Sequence, residues 1–589
     1  MRKLSSASAL LAIICVAAWA DPGDPPSRVA RLSYESGSVS FRPGSVEDWT
    51  AAQLNYPLTT SDHLWTDAGA QAEIHIGSTA VRMNAQTALS VLNLDDRTVQ
   101  LSLTQGAVQI HIRQLESDEA YEIDTPNVAI SLVRPGDYRI DADGDRNITL
   151  VAARAGEAEV NGGGAAFSVQ AGQQARVSGV DTVAQEMNLI PSPDGWDRWC
   201  ENRDQREDQS VSARYVSRDM TGYQDLDSYG VWRNVPGYGW CWVPTAMASG
   251  WAPYRFGHWV WVEPWGWTWV DDAPWGFAPF HYGRWAFAAG GWLWVPGRIA
   301  PRPVYAPALV AFVGGGGFHF SVAIGSGVAW FPLGPGEVYR PAYRVSPAYV
   351  RQVNITHVTN INVINVTNVR YVNRGVAGAV TAVRQEDFVA SRPVGRVAVR
   401  VQTAEIERAP IAATAPFAPS RASVLGRSDG IRPAGPPERF VSRQVVARAT
   451  PPPTPVPFTA RQEALRANQG RPLDADTLNH LRSASPERNP QVRSIAARPA
   501  APREENWRQV NSSESSPAVQ RPAMRQNDRP ARAMENQPAR EPQRSTETQP
   551  RNDRPTQEMR RESNQQHQAQ QQQRDQRQVE KRQERQNRK

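Results

Sequence analysis

Tryptophan is crowded into one short stretch of this 589-residue chain. Thirteen of its 20 tryptophans lie between Trp232 and Trp294, in a run that is rich in glycine and proline. Each indole ring buries roughly 150–250 Å² when it packs. So dense a cluster predicts either an aromatic core of an unusual kind or an aromatic face that binds a ligand.

The tryptophan-rich stretch also repeats itself, with a period of about 25 residues. W-x-W-V units that begin at Trp240, Trp267 and Trp292 mark this period. Along a strand, alternation turns both indoles of a unit to one face and the middle residue to the other. We expect a β module whose rows of indoles serve either as its core or as a surface for glycan or peptidoglycan strands. The candidate ligand-binding residues are Trp240, Trp242, Trp259, Trp261, Trp267, Trp269, Trp285, Trp292 and Trp294.

Catalytic and metal-binding patterns are weak in comparison. His258 and Arg284 take equivalent positions in the related segments YRFGHW and FHYGRW, so we expect them to be polar surface positions. His75 and His111 each lie between two isoleucines, and alternation places them on the solvent side without a third metal ligand. The sequence contains no G-x-S-x-G, Walker A or H-E-x-x-H motif. We therefore expect no enzyme activity, no metal and no cofactor.

The N-terminus predicts export. Arg2 and Lys3 precede a short apolar run, and an A-x-A sequence ends at Ala20. Because the apolar run is too short to span a bilayer, residues 1–20 are expected to be a cleaved signal peptide. The mature chain is then expected in the periplasm or outside the cell, with no transmembrane segment.

Two cysteines, Cys200 and Cys241, follow the predicted signal peptide. An even number of cysteines in an oxidising compartment favours a disulfide between them. The alternative is a pair of buried thiols that never meet. The chain has no C-x-x-C spacing that would indicate zinc.

Residues 28–182 predict a β domain. Runs such as AQAEIHIGSTAVRM and TVQLSLTQGAVQIHI alternate apolar and polar residues, and Gly, Asp and Asn interrupt them at short intervals. This pattern is typical of short strands joined by tight turns. The predicted fold class is mainly β, with an N-terminal sandwich or short β-solenoid.

The same region resembles the FecR-like extracytoplasmic domain. The resemblance is carried, in the family's order, by GSVSFRPG (37–44), NYPLTTSDHLWTDAGAQAEIHIGSTAVRMNAQTAL (55–89), LSLTQGAV (101–108) and YEIDTPNVAISLVRPGDYRID (121–141). It implies a β fold and a place in the cell envelope. FecR proteins pass a signal from an outer-membrane transporter to a sigma factor through cytoplasmic and transmembrane segments. Here the predicted signal peptide takes the place of those segments.

The remaining domain boundaries are predicted from changes in amino-acid composition along the chain. Residues 183–230 are highly charged and predict a polar linker, 231–345 form the Trp/Gly-rich module, and 346–400 form its Asn/Thr/Val-rich extension. The module and its extension, through AWFPLGPGEVYRPAY and VNITHVTNINVINVTNVRYVNR, resemble a Trp/Gly-rich bacterial domain of unknown function. Residues 401–589 are rich in Pro, Arg and Gln and poor in aromatics, so we expect a disordered tail. Short helices are expected within it, around 460–467 and 474–483.

These features together predict a non-enzymatic, exported envelope protein that binds or scaffolds an envelope polymer or an envelope protein. The alternative is a signal-transduction partner of a membrane protein, without an anti-sigma segment of its own. The net charge is +6, and the basic end of the tail predicts weak contact with anionic polymers. It does not predict specific recognition of nucleic acid.

Overall fold

The structure is a computed structural model that describes residues 23–314, 326–355, 357, 371–426, 435–483 and 492–495. All of them belong to one compact unit, residues 1–504. The predicted signal peptide and the end of the predicted tail lie outside the described residues. The fold is mainly β, as predicted, and no helix among the described residues is long and apolar enough to cross a membrane.

Seventeen strands build the N-terminal domain. They are β1 (Ala30–Ser36), β2 (Val39–Arg42), β3 (Thr50–Ala51), β4 (Pro57–Leu58), β5 (His63–Thr66), β6 (Gln71–Ile76), β7 (Thr79–Met83), β8 (Thr87–Leu94), β9 (Thr98–Ile112), β10 (Ala120–Asp124), β11 (Ala129–Leu132), β12 (Gly136–Asp143), β13 (Ile148–Ala153), β14 (Glu157–Gly162), β15 (Ala165–Gln170), β16 (Gln173–Ser178) and β17 (Ala184–Leu189).

The seventeen strands form two sheets that share the long strand β9. Sheet 1 runs in the order β4-β1-β6-β7-β9-β12-β13-β16-β17. Sheet 2 runs in the order β3-β2-β5-β8-β9-β10-β11-β14-β15. The first half of β9 pairs in sheet 2 and its second half in sheet 1. Gly106 lies at the crossing with a φ of 91°, a left-handed conformation that favours glycine.

The two sheets enclose one hydrophobic core, as in a sandwich. Ile74 and Ile110 of sheet 1 are buried in the same continuous cluster as Leu101 and Ile123 of sheet 2. Alternation along the strands explains this arrangement, since every second residue of β9 is apolar and buried on each side of Gly106, at Val99, Leu101 and Leu103 before it and at Val108, Ile110 and Ile112 after it. Of the two folds that the sequence left open, the sandwich and the short β-solenoid, the structure therefore has the sandwich.

The predicted polar linker is an ordered part of the fold. It contains β17, α1 (Gly195–Asp208), α2 (Leu226–Tyr229) and two short 3₁₀ helices, Ser212–Arg214 and Tyr223–Asp225. Asp194 caps α1 in a capping box with Asp197, which supplies acceptors for the first backbone N–H groups. The charges of this predicted polar linker do not all face solvent, because Arg203 and Asp204 of α1 pair with Glu73 and Arg82 of sheet 1.

The tryptophan-rich module follows, and its helices and strands extend to residue 397. They are β18 (Gly230–Val235), β19 (Gly239–Pro244), β20 (Gly257–Val262), β21 (Gly266–Asp271), α3 (Ala278–His281), β22 (Arg284–Ala288), β23 (Gly291–Val295), β24 (Val310–Val313), β25 (Gly327–Pro332), α4 (Pro347–Asn354), a 3₁₀ helix (Asn373–Gly375), β26 (Thr381–Arg384), α5 (Gln385–Val389) and α6 (Val394–Val397).

Residues 401–483 include ordered elements, which corrects the predicted start of the disordered tail. The elements from here on are α7 (Thr403–Arg408), β27 (Ile411–Ala412), α8 (Arg421–Leu425), α9 (Glu438–Val441), β28 (Val445–Ala447), α10 (Phe458–Ala467), α11 (Ala475–Ser483) and β29 (Val492–Ser494). The two predicted short helices are confirmed as α10 and α11. Composition misled the prediction because a few well-spaced apolar residues, such as Phe458 and Leu465, are enough to anchor this segment.

In the part of the module that the structure describes, the strands form three small sheets on the same core as the sandwich. Strands β18-β19-β23-β22 make a four-stranded tryptophan sheet, β20 and β21 make a hairpin, and β26-β25-β24-β27 make a second four-stranded sheet. A single buried cluster runs from Val29 through these sheets to Leu465. Domain and module are therefore packed together and are not separated by a flexible connection.

Candidate functional site

A row of four indoles crosses the tryptophan sheet. In register, Trp232 lies opposite Trp242, Trp242 opposite Trp294, and Trp294 opposite Trp285. The middle residue of a unit turns the other way, and Cys241 packs in a small separate cluster on the opposite face. The predicted alternation within the W-x-W-V units is confirmed for this sheet.

The hairpin of β20 and β21 repeats the arrangement on a smaller scale. Trp259 lies opposite Trp269, and Trp261 lies opposite Trp267. Both pairs meet edge to face with ring centroids 5.5 Å apart, the geometry that the aromatic quadrupole favours.

The indoles of the row across the tryptophan sheet satisfy their N–H groups inside the protein. The Nε1 atoms of Trp242, Trp285 and Trp294 donate to the carbonyl oxygens of Leu226, Pro279 and Tyr282 at 2.8–2.9 Å. A buried indole N–H without an acceptor would cost about 1–3 kcal/mol. These bonds show why tryptophan serves here as a core residue.

Eight of the nine predicted ligand-binding tryptophans are at most 8% exposed. A ring so deeply buried offers no face on which a sugar could stack. For these eight residues the structure corrects the prediction of an aromatic binding surface. They are Trp242, Trp259, Trp261, Trp267, Trp269, Trp285, Trp292 and Trp294.

Trp240 is the exception, since 47% of it is exposed. Its ring centroid lies 4.8 Å from that of Tyr215, and Tyr215 stacks on Trp232 at 4.5 Å. We call these three side chains the aromatic platform. Tyr215 comes from the predicted linker, so no repeat or spacing in the sequence connects it with the tryptophans.

His258 and Arg284 are buried, which corrects their prediction as surface positions. The Arg284 guanidinium donates to the carbonyl oxygens of Glu337 at 3.0 Å and Gly283 at 2.7 Å, and to Oδ1 of Asn354 at 2.8 Å. Burial lowers the pKa of Arg284 to about 10. Arg284 thus ties the tryptophan sheet to α4.

His75 and His111 face helix α1 and not solvent, which again corrects the prediction. Glu73 of the same sheet is fully buried and accepts from Nε of Arg82 and Nε of Arg203, each at 2.6 Å. The mistake has a clear cause, because alternation identifies the face opposite the core but not the helix that covers it. We call the charged residues between sheet 1 and α1 the charged cluster.

Two trios in the charged cluster have the residue types of metal ligands. Their ligand atoms lie within 4.8 Å of one another in each trio. Arginine groups already neutralise three of the four carboxylates: Arg82 and Arg203 bind Glu73, and Arg82 and Arg113 bind Asp204 and Glu207. The cluster is therefore built as an ion-pair network. The trios are Glu73, His75 and Glu207, and His111, Asp137 and Asp204.

The network also acts on His111. Burial opposes its charged form, but the hydrogen bond to Asp137 and the negative charge of Asp204 prevail and raise the pKa of His111. A raised pKa means that the protonated imidazole is part of the favourable pairing between sheet 1 and α1.

Cys200 and Cys241 are free, buried thiols, so the predicted disulfide is not formed. Cys200 packs with Ala107 and Trp196, whereas Cys241 belongs to the separate cluster behind the tryptophan sheet. Burial raises the pKa of Cys200 to about 12 and that of Cys241 to about 11. Both thiols therefore stay protonated and unreactive in the folded protein.

Comparison with solved structures gives only remote similarity. Two crystal structures of a candidate anti-sigma factor from Parabacteroides distasonis ATCC 8503, at 2.50 and 1.65 Å resolution, are 13% and 12% identical to this chain. Each match covers 22% of this chain and 60% of the solved chain, with a TM-score of 0.20. No argument about fold or function follows from a similarity of this size.

Comparison by sequence finds a family match for the tryptophan-rich region only. A search of curated proteins finds no significant match. The predicted resemblance of the module to a family of unknown function is confirmed for the part that holds β18–β25, up to Glu337. Residues 223–337 match the model of a family of unknown function, DUF6600.

Proposed function

We propose that this chain is an exported, non-enzymatic protein of the bacterial cell envelope that contacts glycan strands through the aromatic platform. The observation that carries the proposal is the half-exposed indole of Trp240, held against Tyr215 beside the buried tryptophan row. The predicted signal peptide supports the location.

The surroundings of Trp240 have the mixed character that a sugar ring requires. Asn234 lies directly opposite Trp240 in register, so its amide borders the ring on the same face of the sheet. Asn234 is exposed. A sugar has an apolar C–H face and polar hydroxyl edges, and an aromatic ring with an amide beside it complements both.

The platform is also held in place before any ligand arrives. Nε1 of Trp232 donates to Oγ of Ser212 at 2.9 Å, and that hydroxyl donates to Oδ1 of Asp227 at 2.5 Å. Side chains that are already ordered lose little entropy on binding. This rigidity favours a binding or scaffolding role for the surface.

The test is co-sedimentation of the full-length chain with purified peptidoglycan. Replacing Trp240 with Ala removes the exposed ring, and we expect the affinity to fall about two- to tenfold, the range of one aromatic contact. Phe287→Ala is the matched control, because Phe287 is 41% exposed at the other edge of the same sheet. Equal binding by the Trp240 variant and the wild type, or no binding by the wild type, would contradict the proposal.

A further inference from the structure

Residues 435–449, which we call the strap, cross the outer face of sheet 2. The strap contains α9 and β28. Near its start, the ring of Phe440 stacks on that of Trp65 in β5, with the ring centroids 6.2 Å apart. Further along, the backbone N–H of Val446 donates to the carbonyl oxygen of Thr125 at 2.9 Å. The strap is therefore bound to the sandwich at both ends.

Two acidic side chains of β10 lie side by side on the same outer face. Tyr121 and Ile123 belong to the core, so alternation turns Glu122 and Asp124 away from it. Both acidic residues are nevertheless buried, Glu122 with 6% and Asp124 with 0% of its surface exposed.

These side chains hold the end of the strap. Oε1 of Glu122 accepts from the backbone N–H groups of Arg448 at 2.8 Å and Ala449 at 3.1 Å. Gln100 of β9 completes the contact, because its Nε2 donates to the Ala449 carbonyl at 2.9 Å and to Oδ2 of Asp124 at 2.8 Å. Side chains of the sheet thus replace the ladder partner that the strap backbone has here.

No cation compensates this pair of carboxyl groups in the part of the chain that the structure describes. Arg448 directs its guanidinium to Glu159 instead, at 3.0 Å. Within the same described part, Oδ1 of Asp124 is buried without a hydrogen-bond donor. Two adjacent carboxyl groups in a buried site cannot both ionise without a large cost. Burial and the neighbouring Glu122 carboxyl accordingly raise the pKa of Asp124 well above its ordinary value.

We propose that docking of the strap depends on a proton held by Asp124: the strap stays bound to sheet 2 while Asp124 is protonated and detaches as Asp124 ionises. The protonated carboxyl donates to Glu122 and accepts from Gln100, whereas two carboxylates there repel each other. Once the strap detaches, both groups reach water. The inference concerns a surface other than the aromatic platform and goes beyond the proposed function.

The direction of the pH dependence follows from the raised pKa. Docking is fully favoured at a pH below the pKa that Asp124 has when the strap is detached. Above that value, the fraction of detached strap rises about tenfold per pH unit until the pH reaches the pKa of the docked state. Detachment uncovers the ring of Trp65 that Phe440 covers.

The experiment measures hydrogen exchange of the full-length chain by mass spectrometry between about pH 5 and pH 8. Each exchange rate is divided by that of the unfolded chain at the same pH, which leaves the protection of the amides. For the wild type we expect the protection of the strap amides, such as that of Val446, to fall by at least about tenfold over this range. Asp124→Asn imitates the protonated carboxyl, since its amide can donate to Glu122. We expect the strap of this variant to keep the same protection at every pH.

Asp145→Asn is the matched control. Asp145 is half-exposed and pairs with Arg443 of the strap at 3.0 Å, so this variant removes a charged contact of the strap away from the buried pair. We expect it to keep the pH dependence of the wild type. The amides of β9 are the internal control and should stay protected throughout. The inference is overturned if strap protection in the wild type does not change with pH, if Asp124→Asn keeps the wild-type dependence, or if β9 loses protection together with the strap.

Discussion

Replacing Gly230 with alanine tests the close fit between glycine and tryptophan in the tryptophan sheet. Gly230 has an extended backbone, with φ of −165°, so alanine adopts its conformation without strain. An added Cβ would lie 2.2 Å from Cε2 and 2.5 Å from Nε1 of Trp242. No Cβ tolerates such distances, and the indole would have to move.

The expected loss of stability follows from the contacts that hold Trp242 in place. Its ring is fully buried, lies 4.9 Å from the ring of Trp275, and donates to the Leu226 carbonyl at 2.9 Å. Overpacking a core costs about 1–3 kcal/mol, and a lost hydrogen bond about 1 kcal/mol. We expect Gly230→Ala to lower the free energy of unfolding by roughly 2–4 kcal/mol.

The assay is equilibrium unfolding in urea, followed by tryptophan fluorescence. Gly291→Ala is the matched control, since Gly291 begins β23 of the same sheet and a Cβ there would meet nothing within 4 Å. We expect the control to change stability by less than about 0.5 kcal/mol. If both variants unfold at the same urea concentration, the steric reasoning is wrong.

Two further predictions concern buried titratable groups. Folding raises the pKa of His111. The stability that its protonated imidazole contributes is therefore fully present at a pH below its pKa in the unfolded chain, and it is lost as the pH rises through its pKa in the folded protein. The imidazole of His111 is surrounded by Asp137, Asp204, Asp208 and Arg113. We expect His111→Gln to lower the free energy of unfolding in urea by about 1.5 kcal/mol near pH 5 and by clearly less near pH 9. An equal cost at both pH values would contradict this. For Cys200 and Cys241 we expect the unreduced protein to show two thiols that iodoacetamide modifies only in urea. A mass lower by two hydrogens would show a disulfide instead.

The strand pattern and the indole rows could be predicted from the sequence because alternation is a local property. The spacing of Trp240 and Trp242 alone decides that both rings share a face. What alternation cannot show is which partner covers a face. Trp242 is covered and Trp240 is half-exposed, although both belong to one unit.

The charged cluster and the packing of the hairpin on the sandwich could not be predicted for the same reason. Glu73 and Arg203 are 130 residues apart, and only the folded chain brings their side chains together. Trp261 and Asp62 line one cavity because the hairpin packs on the sandwich, a contact that no local pattern encodes. The ordered elements in the described residues between 401 and 483 were missed because average composition hides a few anchoring residues.

The sharing of β9 by both sheets has a consequence for how the sandwich opens. Complete release of β9 breaks the ladders of both sheets, since the strand continues across Gly106 from Gln105 into the second ladder. Local fraying can release outer strands such as β17, whose residues are exposed, but it stops before the centre. The amide hydrogens of β9 should exchange with solvent only when the whole sandwich unfolds, so this one strand reports the global stability of the domain.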